Sequence, residues 1–490
     1  ELVAEQLNAV NTDEVGVLAS SRATTEELYL LQKLMRAKGI NNIDHRLRQT
    51  DFTDQAKAPQ FPWLGMPINA LETVDAILLV GADIRHDQPM ANHWLRKAAL
   101  KGAKVSVLSS CPIDFNYPLD RVVITDPVLM VSTLGQVLSA TGNVSKALSS
   151  LTPAADEQAK VLAETLRNAE NAVILLGNQA VQHPAFSQLR ALSAELASNT
   201  GATLSYLSES ANTVGAWLTG IVPHRLAGGV ATKTEGLHSA DMLMSALKTL
   251  VLFDVEPTFD CDDPQKAIGA LDHAKVIAFT SFASEQLRAS VDILLPISTF
   301  AETSGTYINA EGKQQSFRGV AKAPADVKPG WRILRVLGGV LELDGFEYMS
   351  SKDVLDEFNQ TVSIVPDNTY NLDDNDDFSA LSIELDNHSM LQRIGAVHMY
   401  SGDSLVRRAT ALQKTFSIAR DAVRIHPSDV KKLGISGEES VVIQQGDGRV
   451  VMSLVEDPSI PEGCVHLLSA TSKATALGAS YGHVTVQGGS

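Results

Sequence analysis

The chain has 490 residues, 44% of them hydrophobic and 5% aromatic, enough to bury large cores and to form two to four domains. Forty Lys and Arg face 57 Asp and Glu, a net charge of -17, which argues against sequence-independent attraction to nucleic acid or anionic lipid. No apolar run approaches the roughly 20 residues a membrane helix needs, so any membrane association is expected to be indirect.

The opening "ELVAEQLNAVNTDEVGVLAS" carries neither a basic start nor a signal-peptide core, and its beginning on Glu1 reads as a piece of a longer protein. "DAILLVG" (75–81) is an apolar strand ending in Gly81. It is followed by the amphipathic helix "MANHWLRKAALKGA" and the strand "KVSVLS" (104–109), one βαβ unit. "NAVILLG" (171–177) repeats the design, with Gly177, a helix through "FSQLRALSAELASNTGA" and the strand "TLSYLS" (203–208). "LKTLVLFDV" (247–255), "AKVIAFTSF" (274–282) and "VDILLP" add further strands. The fold class is α/β with a large, at least partly parallel sheet.

"AETSGTYINAEGKQQSF" (301–317) is a polar run with Gly305 and Gly312, both expected at positive φ. It is expected to fold as a surface hairpin anchored by Tyr307 and Phe317. From about 345 the texture changes, and "LDDNDDFSALSIELDNHS" (372–389) has the acidic, apolar-poor composition of a linker. Residues 422–468 alternate in polarity between the turns "GISGEE", "QGDGR" and "DPSIPEG", as a small β-barrel does.

Candidate site residues are sparse. A Gly at a strand's end, as at Gly81 and Gly177, lets a ligand approach the backbone, but a strand-to-helix turn needs Gly for geometry alone, and neither forms a Gly-x-Gly-x-x-Gly fingerprint. His224, Arg225 and His238 lie in loops where an anion could be held, although a loop His is commonly just solvated and no Asp or Glu partner is evident from spacing. Cys111, Cys261 and Cys464 are far apart in sequence, lack Cys-x-x-Cys spacing, and read as reduced, buried thiols that cannot build an iron–sulfur cluster, which normally takes four thiolates. No catalytic residue and no metal ligand is expected.

In order, the segments "DAILLVGADIRHDQPMANHWLRKAALKGAKVSVLS", "SYLSESANTVGAWLTGIVPHR", "VDILLPISTFAETSGTYINAEGKQQSF", "PGWRILRVLG" and "VRIHPSDVKKLGI" resemble the molybdopterin-dependent oxidoreductase superfamily. More narrowly, they are similar to the large iron–sulfur subunit of bacterial respiratory complex I, the NADH:quinone oxidoreductase. The resemblance implies two Rossmann-like α/β domains and a C-terminal β-barrel of double-psi type. The expected parts are a discontinuous α/β domain (1–40 and 166–345, including the hairpin 301–317), a nested Rossmann-like domain (41–165), an acidic linker (346–389) and a barrel (390–490). The hairpin would dock beside a small iron–sulfur domain.

Catalytic members of the superfamily carry a residue that ligates molybdenum and commonly an Asp-Pro-Arg where this chain has "SSCPIDF" after its 104–109 strand. The missing Arg implies a region without the molybdenum cofactor, its pocket near Gly81, Gly177, His224 and Arg225 only a relic. By the same resemblance, the parent subunit would hold 4Fe-4S and 2Fe-2S clusters in a region N-terminal to this chain. It would pass electrons from NADH, by way of FMN, towards quinone, coupled to proton translocation. Its partners would be the NADH/FMN-binding and iron–sulfur subunits of the peripheral arm, on the cytoplasmic side of the bacterial inner membrane. The alternative is an active, formate-dehydrogenase-like molybdopterin enzyme.

Overall fold

The structure, a computed structural model, describes residues 1–373, 375–376, 378, 390–415 and 422–489. The chain forms two units: Glu1–Arg48, Ser208–Cys261 and Lys266–Asp367 make the first, and Gln49–Leu207, Asp262–Gln265 and Asn368–Ser490 the second.

The first unit begins with β1 (Val15–Ala19), the helix Thr25–Ala37 and β2 (Ile43–Asp44). The chain then builds the sheet of the second unit from β3 (Ala76–Val80), β4 (Lys104–Ser109), β5 (Arg121–Ile124), β6 (Ala172–Leu176) and β7 (Thr203–Tyr206). It returns to the first unit with β8 (Thr249–Phe253), β9 (Lys275–Thr280), β10 (Ile293–Pro296) and the hairpin β11 (Gly305–Ile308) and β12 (Gln314–Phe317). The remaining strands, β13 (Leu391–Val397), β14 (Ala422–Ile425), β15 (Ser440–Gln445), β16 (Gly448–Glu456), β17 (Cys464–Ser469) and β18 (Tyr481–Gly488), belong to the second unit.

In the first unit the order is β10-β9-β8-β1-β2, every pair parallel. β1 and β8 are buried at all positions, as strands covered on both faces by helices must be. The helix Thr25–Ala37 starts on a capping box, Thr24 Oγ1 accepting from Glu27 N while the Glu27 carboxylate accepts from Thr24 N. Tyr29 of this helix meets Phe358 of the helix Ser351–Thr361 edge-to-face at 5.8 Å. Residues 351–361 are therefore a packed helix of this unit and not part of a linker. Their acidic surface conceals Val354 and Phe358, which sit at helical spacing and are fully buried.

The second sheet is also parallel, in the order β5-β4-β3-β6-β7. β6 lies directly beside β3, with Ala76 opposite Ala172 and Val80 opposite Leu176. The similar sequences of these strands reflect neighbouring positions in one sheet. The nested sheet thus extends through β7 and does not end at 165, while β2 at 43–44 belongs to the first sheet, so the nested unit starts after 48 and not at 41.

The last six strands close a barrel in the order β13-β17-β14-β16-β15-β18, mixing parallel with antiparallel neighbours. Val423, Ile425, Val441, Ile443, Val465 and Leu467 fill its core. Of the acidic stretch 372–389, residues 374, 377 and 379–389 lie outside the described residues. Within the described part, Phe378 is buried in the core of the second unit and Asp376 pairs with Lys57.

In the hairpin, Gly312 has φ +77, as its turn requires, but Gly305 does not have positive φ. Gly305 is needed for close approach instead, because a Cβ there would lie 2.3 Å from Thr24 Cγ2. Strand alternation turns Thr306 and Ile308 inward, both with no exposure, so these two anchor the hairpin while Tyr307 and Phe317 stack on each other at 5.0 Å. No helix among the described residues is long and apolar enough to cross a membrane.

Candidate functional site

The carboxyl ends of parallel strands are where α/β proteins hold ligands. In the second unit these ends bring Gly81 and Gly177 together. Gly177 N donates to Val80 O (3.0 Å) and Gln179 N to Gly81 O (3.0 Å). Gly81 has φ +54, and a Cβ on it would lie 2.5 Å from Ala180 N. A Cβ on Gly177 would lie 2.3 Å from Ala82 Cα. The room these glycines create is filled by the protein's own backbone.

Beyond β4, Ser109, Ser110 and Cys111 are all buried. Ser109 Oγ donates to Gln179 Oε1 (2.8 Å) and accepts from Cys111 N (3.1 Å), and burial pushes the Cys111 thiol up to about 12. Beyond β3 stands a pair that spacing could have revealed, Asp83 and His86 in "GADIRH", one helical turn apart. His86 Nδ1 lies 2.9 Å from both Asp83 oxygens, and this hydrogen bond holds the imidazole above its ordinary pKa. The His398 ring is 6.4 Å from His86 and 5.2 Å from Tyr400. His183 is a structural residue: its Nε2 faces Pro127 O (2.9 Å), its Nδ1 accepts from Ala185 N (3.0 Å), and burial lowers its pKa to about 4.

His224 and Arg225 belong to the first unit, whereas the two glycines belong to the second. His224 is not solvated. It is 7% exposed, its ring 6.1 Å from Trp217, because the 220–229 loop folds back and Arg36 Nη2 donates to Val222 O (2.8 Å) and Arg225 O (3.3 Å). His238 has an acidic partner after all, since it caps the helix Ser239–Met244 and its Nε2 lies 3.0 Å from Asp241 Oδ2.

Sequence reading missed a buried set of charges at the strand ends of the first unit. Arg46 grips Asp44 with two bonds, Nε to Oδ1 and Nη2 to Oδ2, each 2.9 Å. Burial works to raise the Asp44 pKa, yet Arg46 and the backbone amides hold it below the usual carboxylate value. Arg48 contacts Glu209 (2.5 Å) and Asp260 (3.6 Å), and Arg22 reaches Asp260 (3.3 Å). Asp254 follows β8 at φ +53, its pKa pushed up to about 6 by burial. "DHRLRQTD" contains the local pair Asp44 and Arg46, but only folding brings Arg48 to Glu209, 161 positions away, and Arg22 to Asp260, 238 positions away.

No group of three or more His, Cys, Asp or Glu suited to a metal ion occurs among the described residues. The three cysteines are free and buried, as expected, and Cys111 and Cys464 share a small apolar cluster with Ile394 and Ile460.

Comparison with known proteins places these edges in context. The family model described as "Molybdopterin oxidoreductase" matches residues 1–340. The chain is 26% identical to the G subunit of NADH-quinone oxidoreductase from Streptomyces coelicolor, over 70% of this chain and 44% of that protein. It is 21% identical to F420-dependent formate dehydrogenase 1 subunit alpha of Methanococcus maripaludis, over 95% of this chain and 83% of that protein. Among solved structures it shares its fold with the acetylene hydratase from Pelobacter acetylenicus, at a TM-score of 0.59 and 12% identity over 100% of this chain and 88% of that one. The chain spans less than half the length of the NADH oxidoreductase relatives it matches. With the family model covering more than two thirds of its length, the chain belongs to the molybdopterin oxidoreductase family.

Proposed function

We propose that this chain is a cofactor-free structural and interaction region of the large iron–sulfur subunit of respiratory complex I. The parent passes electrons from NADH, through FMN and iron–sulfur clusters held elsewhere in it and in its partners, to quinone, coupled to proton translocation. The chain itself carries no catalytic residue and braces the NADH/FMN-binding and iron–sulfur subunits of the peripheral arm, on the cytoplasmic side of the membrane.

The observation that carries this reading is that the strand-end cations are already taken. A pterin dinucleotide brings a pyrophosphate, which calls for open backbone amides and free cations. Arg22, Arg46 and Arg48 are instead held by Asp260, Asp44 and Glu209, while the amides around Gly81 and Gly177 are packed against backbone. The position after β4, where an Asp-Pro-Arg would supply a further cation, holds Ser109, Ser110 and Cys111. These residues do not fit the family's cofactor.

The test is affinity purification of the full-length parent from its source. The expected result is co-purification of flavin- and cluster-bearing subunits with NADH-dependent quinone reduction. Recovery without them, or with formate oxidation, contradicts the proposal.

One observation favours a second reading. The match to the formate dehydrogenase of Methanococcus maripaludis spans 95% of the chain, against 70% for the Streptomyces coelicolor protein. A formate-oxidising molybdopterin enzyme would account for it, and would be recognised by its metal.

A further inference from the structure

The helix Gly330–Val340 of the first unit is apolar on two sides. Trp331, Leu334 and Leu337 are buried, while Ile333, Val336 and Val340 form a second stripe at helical spacing, Val336 56% and Val340 43% exposed. The apolar arc of the helix is wider than its buried side, with Arg332 and Arg335 on the remaining face, and a contiguous exposed apolar stripe rimmed by charge marks an interaction surface. This stripe walls a groove of about 550 Å³, lined also by Leu295 of β10, Tyr348 and Met349.

The charges in the groove are one-sided. Lys328, Arg332 and Arg335 line it with a single carboxylate, Glu1, and none of the three cations is in an ion pair among the described residues. In a chain of net charge -17, three unpaired cations beside exposed valines are a local exception, and complementary charge is what steers and registers a partner.

We propose that this groove docks an acidic amphipathic helix of a partner polypeptide. Its apolar side would lie on Ile333, Val336 and Val340, and its Asp and Glu side chains on Lys328, Arg332 and Arg335. An 11-residue helix is about 16 Å long, so a partner helix of about three turns covers the stripe. A second copy of the chain is disfavoured because matching groove to groove sets cations against cations. An anionic bilayer is disfavoured because its plane of charge faces a protein of net charge -17, and because a flat surface cannot fill a concave groove. The proposal holds whichever oxidoreductase the parent is.

The test uses the full-length parent protein and three fluorescein-labelled peptide probes of about four helical turns: a helix-forming peptide with Leu on one face and Glu on the other, the same peptide with Lys for Glu, and a scrambled version of the first. Anisotropy should show saturable binding of the Glu peptide at least tenfold tighter than of either control, weakening with salt. Val336→Glu and the double change Arg332→Glu/Arg335→Glu should each weaken it at least tenfold. Both variants alter residues that line the open groove, and unchanged thermal melting by circular dichroism confirms their folding. Equal binding of the Glu and Lys peptides, no saturable binding, or binding that survives both variants overturns the proposal. So does a Val336→Glu-sensitive self-association in sedimentation velocity, or Val336→Glu-sensitive co-sedimentation with phosphatidylglycerol vesicles.

Discussion

Glu26 and Thr306 are joined by two hydrogen bonds, the carboxylate accepting from Thr306 N and from Thr306 Oγ1, each at 2.9 Å. This contact ties the hairpin β11–β12 to the helix Thr25–Ala37 and occurs at a site where Glu26 is only 2% exposed. Burial pushes the Glu26 pKa up to about 7, and it also raises that of the neighbouring Glu27.

A pH dependence follows. The native state keeps the Glu26 proton up to about pH 7, whereas the unfolded chain releases it near 4.5. The stability this proton contributes is full below 4.5, declines as pH rises through the interval and is gone above the folded value. Glu26→Gln can still donate to Thr306 Oγ1 and accept from Thr306 N. Urea unfolding should therefore show the variant gaining up to about 3 kcal/mol over the parent at about pH 8 and little at about pH 4.5. A constant offset between the two proteins across this range would refute the assignment.

The buried pair Asp54–Arg190 makes a second test. Arg190 Nε donates to Asp54 Oδ2 at 2.7 Å, Arg190 Nη2 pairs with Oδ1, and Tyr370 Oη donates to Oδ2 at 3.0 Å. Asp54→Ala strands a buried guanidinium and should cost roughly 3–5 kcal/mol in denaturant unfolding. Asp54→Ala combined with Arg190→Met should recover much of that loss. A single variant as stable as the parent would contradict the network.

The strand-end glycines separate crowding from ligand approach. Gly177 does not have positive φ, so Gly177→Ala is penalised only by the 2.3 Å approach to Ala82 Cα, and it should lower stability by about 2 kcal/mol or more. Gly269→Ala, inside the helix Pro264–His273 with nothing within 4 Å and no positive φ, should change stability by no more than about 1 kcal/mol. Similar small changes for both, measured by thermal unfolding, would mean that the Gly177 edge is open.

Much of this architecture is written in local pattern. Apolar runs ending in glycine mark β3 and β6, and alternating polarity between turns marks the barrel strands. What local pattern lacks is sheet order. The runs "DAILLVG" and "NAVILLG" fit two sheets as well as one, and only the register of Ala76 with Ala172 makes them neighbours. The boundary at 165 that the resemblance implies gives way for the same reason, because β6 and β7 continue the sheet of β3. The candidate site was hidden for a related reason, since Arg48 meets Glu209 and Asp260 only through long-range folding. His224 reads as a loop residue because nothing in "GIVPHRLAGG" announces Trp217 beside it. Asp83 and His86, by contrast, lie one helical turn apart in "GADIRH", a pairing that spacing alone could have revealed.

Metal analysis of the purified full-length parent tests most directly the proposal that this chain holds none of the family's cofactor. Inductively coupled plasma mass spectrometry should find iron, from clusters outside these residues, without stoichiometric molybdenum or tungsten. Molybdenum or tungsten near one atom per chain, released together with a pterin on denaturation, would contradict the account.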